Sequence, residues 1–137
     1  MPESAIICVD DEIDILKSLQ LELEKAFGNS YLYELAESGD EAIEIIEELT
    51  EQSVQIIVIV SDWLMPGMKG DEFLIKVNQK YPNIIKIMLT GQADEAAIER
   101  AKKEANLYSC LYKPWKDWEL IDTLRSAIER EMLDVGE

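Results

Sequence analysis

Residues 54–67 read VQIIVIVSDWLMPG, and this stretch decides the fold. Its apolar run from Ile56 to Val60 shows no alternation, which is typical of a strand covered on both faces in a parallel sheet. A Pro-Gly pair then marks a loop. Asp62 therefore stands at the carboxyl end of the strand, where open α/β sheets bind their ligands. A helix-capping or turn aspartate fits this stretch equally well.

Length and composition are those of one globular domain. The chain has 137 residues, 47% of them hydrophobic, which suits a single domain over residues 1–137 with a core from about residue 4 to about residue 133. No apolar run approaches the ~18 residues of a membrane span, and the N-terminus lacks the basic region and cleavage pattern of a secretory signal. We therefore expect a cytoplasmic protein that does not act on membranes.

The composition also excludes several kinds of site. The chain has no histidine, which rules out histidine zinc ligands, Ser-His-Asp triads and histidine general bases. Cys8 and Cys110 are too few for a disulfide framework, and both lie in apolar segments, as reduced cysteines usually do. The net charge of -16 disfavours direct contact with nucleic acid and favours divalent cations or partners with basic surfaces.

Strand patterns and helix patterns alternate along the whole chain. The predicted strands cover Ala5–Val9, Tyr31–Ala36, Ile56–Val60, Ile84–Leu89 and Ser109–Tyr112. The helical patterns that follow them begin near Ile13, Gly39, Gly70, Glu95 and Trp118. Strict alternation of this kind predicts an α/β fold, a doubly wound five-stranded parallel sheet with five helices on its two faces and right-handed crossovers.

Local signals mark several helix ends. Gly28 is placed to stop the first helix, and Ser38 to Glu41 has the spacing of a capping box. Pro82 ends the third helix, and Asp117 is the predicted N-cap of the last. The predicted apolar stripe of that last helix comprises Trp118, Ile121, Leu124, Ile128 and Met132.

Polar groups stand at the ends of four predicted strands. They are Asp10 and Asp11 after the first strand, Asp62 after the third, Thr90 after the fourth and Lys113 after the fifth. Because parallel strands end at the same edge of a sheet, we expect these groups to converge. Each has an ordinary explanation alone, such as a helix cap for the acidic pair or a surface position for Lys113. Their coincidence is what indicates a site.

The converging groups suit phosphoryl chemistry. Three carboxylates would repel one another unless a cation joined them, and an all-oxygen set suits Mg²⁺ or Mn²⁺. Lys113 adds a fixed positive charge, and Thr90 adds a hydroxyl donor for phosphoryl oxygens. A carboxylate in such a place can act as a nucleophile and form an aspartyl phosphate.

At this point the sequence resembles the receiver domains of two-component response regulators, over nearly its whole length. The resemblance is carried by the segments Val9–Glu12, Ser61–Gly70, Leu89–Gly91 and Lys113-Pro114, in the family's order and at ordinary spacings. It implies a flavodoxin-like strand order of 2-1-3-4-5 and a cis peptide bond before Pro114. It also implies a signalling switch that catalyses its own phosphorylation and dephosphorylation, not an enzyme of metabolism.

The resemblance also assigns a role to each candidate residue. Asp62 would accept a phosphoryl group from a sensor histidine kinase or a phosphotransfer protein. Asp11, Asp62 and the backbone carbonyl of Leu64 would bind Mg²⁺ directly, and Asp10 would bind it through water. Lys113 would contact the phosphoryl group, and Thr90 would move toward it. The surface of the fourth helix, fifth strand and fifth helix would then change, acting on an output domain, a docking protein or a second copy.

The sequence departs from the family at the usual switch position. Many receivers carry an aromatic residue three positions before the lysine, where this chain has Cys110. Strand alternation puts Tyr108, Cys110 and Tyr112 on one face, so a neighbouring tyrosine is an alternative partner for Thr90, although surface packing suits both tyrosines better. Trp115 and Trp118 are candidates for a partner surface, although core packing suits Trp118 at least as well.

Two other functions remain open from the sequence. One is a receiver-like module that docks or dimerises without phosphorylation, which the intact acidic set argues against. The other is a Mg²⁺-dependent hydrolase of small phosphate esters. Leu64 argues against the hydrolase, because it occupies the position where such an enzyme needs a second catalytic aspartate.

Overall fold

Five parallel strands form the centre of the molecule. The computed structural model describes residues 3–91 and 95–135, without the side chains of Asp117 and of residues 131–135. The strands are β1 (Ser4–Val9), β2 (Leu32–Ala36), β3 (Gln55–Asp62), β4 (Ile85–Thr90) and β5 (Ser109–Tyr112). They form one sheet in the order β2-β1-β3-β4-β5, and every pair in it is parallel. The predicted sheet and its strand order are therefore confirmed.

Helices cover both faces of this sheet. They are α1 (Ile13–Phe27), α2 (Gly39–Glu51), α3 (Gly70–Lys80), α4 (Glu95–Glu104) and α5 (Asp117–Val135), with a short 3₁₀ turn at Gly28–Ser30. Within the described residues, none of the helices combines the length and the apolar character needed to cross a bilayer. The alternation read from the sequence thus corresponds to the observed order of elements.

The sheet separates two apolar cores. On one face, α1 and α5 bury a cluster that includes Leu16, Leu19 and Leu124 against alternate residues of the central strands. On the other face, α2, α3 and α4 bury a second cluster around Phe73 and Ile46. Each fully buried Leu, Ile or Phe contributes about 1.5–3 kcal/mol by leaving water. Because the central strands are covered on both sides, they carry continuous apolar runs.

The local helix signals are mostly confirmed. The Ser38 hydroxyl accepts a hydrogen bond from the Glu41 amide at 3.1 Å, and Gly28 ends α1 with a φ of 58°. Asp117 is the first residue of α5 instead of the residue before it. The spacing of Ile13 and Leu16 in the sequence predicts that both lie on the apolar face of α1. For Ile13 this prediction is wrong, because it is 43% exposed at the first position of the helix.

The apolar stripe predicted for α5 is displaced by two residues at its start. Leu120, not Trp118, begins the buried face, and Trp118 is 60% exposed. Two residues correspond to a rotation of about 200° around a helix, so the two side chains lie on opposite sides of α5. Leu124 and Ile128 are buried as predicted, and the Met132 side chain lies outside the described residues. Trp118 is therefore a surface residue.

Lys86 on β4 is the most unusual core residue. Its side chain is fully buried, and its ammonium donates to Asn78 Oδ1 at 2.8 Å and to the Pro82 carbonyl at 3.4 Å. These acceptors lie at the C-terminal end of α3, where a positive charge complements the helix dipole. Burial lowers the pKa of Lys86 from 10.5 to about 8. The charged form is therefore held in the core at a cost in stability.

We predict that Lys86 makes stability rise with pH. Its folded pKa of about 8 lies below the ordinary 10.5, so the unfolded chain binds more protons between these pH values. The free energy of unfolding of wild type, relative to Lys86→Met, should therefore increase by about 3 kcal/mol from neutral pH to above 10.5. Urea titrations across this range measure the difference. Lys76→Met, at an exposed position, is the control, and a flat wild-type minus Lys86→Met difference would contradict the prediction.

Candidate phosphorylation site

The carboxyl ends of the strands bring the predicted site residues together. Asp10 and Asp11 follow β1, Asp62 is the last residue of β3, and Lys113 follows β5. Single carboxylate oxygens of Asp10, Asp11 and Asp62 lie within 4.8 Å of one another. Residues more than fifty positions apart in sequence thus form one acidic cluster, as the strand ends predicted.

Lys113 is the positive centre of this cluster. Its ammonium contacts Asp62 Oδ1 at 3.0 Å and Asp10 Oδ2 at 3.3 Å. Asp10 and Asp62 are buried, while Asp11 is exposed. The other Asp10 oxygen, Oδ1, accepts a hydrogen bond from the Glu12 amide at 2.9 Å. The lysine therefore offsets the repulsion between two carboxylates that the fold places side by side.

Burial and neighbouring charges shift the pKa values of this pair. Burial raises the pKa of Asp62 above its usual 3.8, and the Asp10 charge adds to that effect, while the hydrogen bond from Lys113 opposes it. For Lys113, burial lowers the pKa, but the hydrogen bond and charge of Asp62 and the charge of Asp10 outweigh it, so the net pKa is raised. Lys113 therefore stays protonated, and further positive charge would stabilise the ionised form of the buried Asp62 carboxylate.

An open cavity of about 510 Å³ lies above the cluster. Its lining residues are Asp11, Glu12, Asp62, Leu64, Met65, Pro66, Gly91 and Lys113. Leu64 is 46% exposed at its rim. Thr90 is buried beneath this surface, and its carbonyl accepts a hydrogen bond from the Lys113 amide at 2.8 Å. Solvent and a small phosphorylated group can therefore reach Asp62 through this cavity. The backbone hydrogen bond keeps Thr90 next to Lys113.

Gly70 is a site residue that the sequence patterns did not single out. Its amide donates to the Trp63 carbonyl at 2.8 Å, so the start of α3 folds back onto the residue after Asp62. A Cβ at this position would overlap the Asp62 carbonyl oxygen and would lie 2.8 Å from the Trp63 Cα. Only glycine permits this approach. The signal in the sequence that could have indicated this contact is the short loop between Asp62 and Gly70.

The residues around the usual switch position are arranged differently from the prediction. Cys110 packs against the core on the α4 side of the sheet, whereas Tyr108 packs against the opposite core. Because β5 begins at Ser109, Tyr108 precedes the strand and does not follow its alternation. Tyr112 pairs in register with Thr90 and is 57% exposed. The bond between Lys113 and Pro114 is cis, as expected.

Comparison with known proteins identifies the family. The model of the response regulator receiver domain matches residues 6–125. The chain belongs to the response regulator receiver family. It is 34% identical over 131 residues to the hydrogenase transcriptional regulatory protein HoxA of Cupriavidus necator, covering 96% of this chain.

Solved receiver structures share the fold over almost the whole chain. The signal receiver domain of an HD domain-containing protein from Pseudomonas fluorescens superposes with a TM-score of 0.83 at 30% identity, covering 96% of this chain and 98% of that one. The beryllofluoride-activated NtrC4 receiver domain dimer has a TM-score of 0.78 at 29% identity, covering 94% and 98%. The receiver fold is therefore established for this chain, and the receiver domain family acts as a signalling switch. The chain spans 25% of the length of HoxA. The similarity therefore concerns only that part of the relative.

We predict that Gly70→Ala will disturb both stability and the site. The added methyl group must displace the Asp62–Trp63 backbone, and such strain costs about 1–3 kcal/mol. Chemical denaturation measures this loss. Gly91→Ala is the matched control at the same cavity, because the nearest atom to its new Cβ would be the Lys113 Cβ at 4.0 Å. Equal stability of both variants would show that the close approach at Gly70 is unimportant.

Proposed function

We propose that this protein is a phosphoacceptor receiver and that Asp62 takes a phosphoryl group from a histidine kinase or a phosphotransfer protein. The observation that carries the proposal is the contact of the Lys113 ammonium with the buried Asp62 carboxylate, beside two further aspartates. Family membership supports the same role. A docking module without phosphorylation would have no need for this costly cluster of like charges.

The residues present fit a magnesium ion. Asp10, Asp11 and Asp62 offer only oxygen atoms, the ligand type that Mg²⁺ and Mn²⁺ prefer. In this proposal Asp11, Asp62 and the Leu64 carbonyl hold the ion directly, and Asp10 holds it through water. When bound, the ion offsets negative charge on phosphoryl oxygens. The pKa of Asp62, which burial raises, indicates a site that gains from an added positive charge.

The chain's own residues then perform the transfer. An oxygen of the ionised Asp62 carboxylate attacks the phosphorus, the bond from phosphorus to the donor's imidazole nitrogen breaks, and its electron pair stays on that nitrogen. Lys113, already at 3.0 Å from Asp62, holds an oxygen of the incoming group. Thr90 donates its hydroxyl to the same group. Hydrolysis by water later restores the free carboxylate.

Exposed aromatic residues support an output surface on α4, β5 and α5. Tyr112 is 57% exposed and Trp118 is 60% exposed, and both residue types are enriched at protein interfaces. Lys116 lies over the Trp118 ring at 5.9 Å from its centre. We propose that phosphorylation changes this face and that it then contacts an output domain, a docking protein or a second copy. The dimeric NtrC4 receiver is a precedent for the second copy.

The remaining parts of the proposal come from the sequence. We propose that residues 1–137 form a single receiver domain with a core from about residue 4 to about residue 133, and that the protein is cytoplasmic, where sensor kinases transfer their phosphoryl groups. The net charge of -16 disfavours direct contact with nucleic acid by this chain.

We predict that acetyl phosphate with Mg²⁺ will add one phosphoryl group to the wild-type protein. Intact-protein mass spectrometry measures the gain, and treatment with hydroxylamine should remove it, as expected of an acyl phosphate. Asp62→Ala should gain nothing, and Lys113→Ala should be labelled at least tenfold more slowly because the group that orients the phosphoryl oxygens is lost. Asp40→Ala, on the exposed start of α2, is the control. Equal labelling of Asp62→Ala and wild type would refute the assignment.

We also predict that Mg²⁺ will stabilise the folded protein. A ligand that binds only the folded state raises its stability by about 2.7 kcal/mol at 100 times its dissociation constant. Differential scanning calorimetry should therefore show a higher unfolding temperature with Mg²⁺ for wild type and a much smaller rise for Asp11→Asn. Asp40→Asn removes the same charge away from the cluster and should respond like wild type. A similar rise in all three proteins would mean that the ion binds elsewhere.

A further inference from the structure

Trp63, the residue after the proposed phosphoacceptor, is held at three points. Its amide donates to the Leu89 carbonyl at 3.1 Å, and its carbonyl accepts from the Gly70 amide at 2.8 Å. Its indole nitrogen donates to Asp71 Oδ1 at 3.1 Å inside the protein. The backbone next to Asp62 is therefore rigidly attached to β4 and to the first turn of α3.

Asp71 connects this tryptophan to α4. It is only 7% exposed, and each of its carboxylate oxygens has a partner: Oδ1 accepts from Trp63, and Oδ2 pairs with Arg100 Nη1 at 3.5 Å. Arg100 is in the middle of α4, where its Nε also contacts Glu104 at 3.1 Å. The path from Asp62 to α4 thus contains one peptide bond, one hydrogen bond and one ion pair.

A second contact joins the other ends of the same two helices. The Asn78 side-chain amide on α3 donates to the Glu104 carbonyl at 3.2 Å, and the buried Lys86 ammonium holds that Asn78 side chain. The C-terminal end of α4 is therefore attached to a rigid part of the core. Arg100 is one helical turn before this attachment, and its side chain is half exposed, so water partly screens its pair with Asp71.

The position that many receivers fill with an aromatic residue holds the small Cys110 on the α4 side of the sheet. The Cys110 side chain is smaller than an aromatic ring and offers less contact surface on this side of the sheet. The charged contact between Asp71 and Arg100 is a different physical connection between the same two regions, and it begins at the residue that adjoins Asp62.

We infer that the Trp63–Asp71–Arg100 chain couples the phosphorylation state of Asp62 to the position of α4, with Asp71 and Arg100 acting as positioning residues. The inference rests on the proposed function of Asp62. In this proposal the Asp71–Arg100 ion pair holds α4 in the arrangement of the unphosphorylated protein, and phosphorylation of Asp62 weakens that hold. Loss of the pair lowers the cost of moving α4 and thereby favours the phosphorylated arrangement.

Coupling of this kind is reciprocal. If phosphorylation weakens the hold of Asp71 on Arg100, removal of that hold must strengthen binding of a phosphoryl mimic at Asp62. The effect is measurable at the site although Arg100 does not line the cavity. A contact that only stabilised the fold would lower the free energy of unfolding and leave the affinity at Asp62 unchanged.

The experiment measures the affinity for beryllofluoride in the presence of Mg²⁺. Trp115→Phe and Trp118→Phe leave Trp63 as the single tryptophan of the chain, and its fluorescence reports binding next to Asp62. In this background Arg100→Gln should bind beryllofluoride about fivefold more tightly than the parent. Asp71→Asn keeps an acceptor for the Trp63 indole but loses the ion pair, so it should give a similar gain. The double variant should bind no more tightly than either single variant.

Two controls make the result decisive. Lys103→Gln removes the same charge from the same helix and should bind like the parent, and Arg100→Lys should restore most of the parent affinity. Hydrogen exchange of Glu95–Glu104 without beryllofluoride should be faster in Arg100→Gln than in Lys103→Gln. If Arg100→Gln and Asp71→Asn bind like Lys103→Gln, the coupling is wrong while the proposed function stands. If the parent protein does not respond to beryllofluoride, the proposed function fails, and the coupling fails with it.

Discussion

The contact between Lys113 and the buried carboxylates of Asp10 and Asp62 is the interaction on which the site depends. The parallel sheet places both aspartates at one edge with little water around them, and their like charges alone would drive them apart. Lys113 reaches both, at 3.3 Å and 3.0 Å, and keeps the cluster together. The burial that makes this arrangement costly also makes Asp62 receptive to a further cation and to phosphoryl transfer, since charges interact strongly where water is scarce.

The surroundings of Asp62 are built to keep its backbone in place. Gly70 brings the first turn of α3 onto the peptide that joins Asp62 and Trp63, and the sheet holds Trp63 from the other side. Polar contacts from Asp71 and Asn78 then connect α3 to α4. The same rigid elements that position the carboxylate thus offer a physical connection to α4, which is part of the proposed output face. Lys86 stabilises part of that connection from within the core.

The strands and the strand-end residues were predictable because they follow from short-range patterns. A buried parallel strand needs a continuous apolar run, and a polar residue that ends such a run lies at the edge of the sheet. The errors lie where orientation depends on a distant neighbour. Trp118 looked like part of the apolar face of α5, but the sheet contacts Leu120 and leaves Trp118 on the surface. Tyr108 does not share a face with Cys110, because it precedes β5, which begins at Ser109 as predicted.

The sequence by itself determined the succession of strands and helices along the chain, the helix caps such as Ser38, and the residues at the strand ends. Each of these features depends on neighbours within a few positions. Only the tertiary structure decided that a buried Lys86 bonds to the end of α3 and that Asp71 joins Trp63 to Arg100. These contacts join residues that are 8 to 29 positions apart on different elements. Their distances depend on how the helices pack across the sheet, which no local pattern encodes.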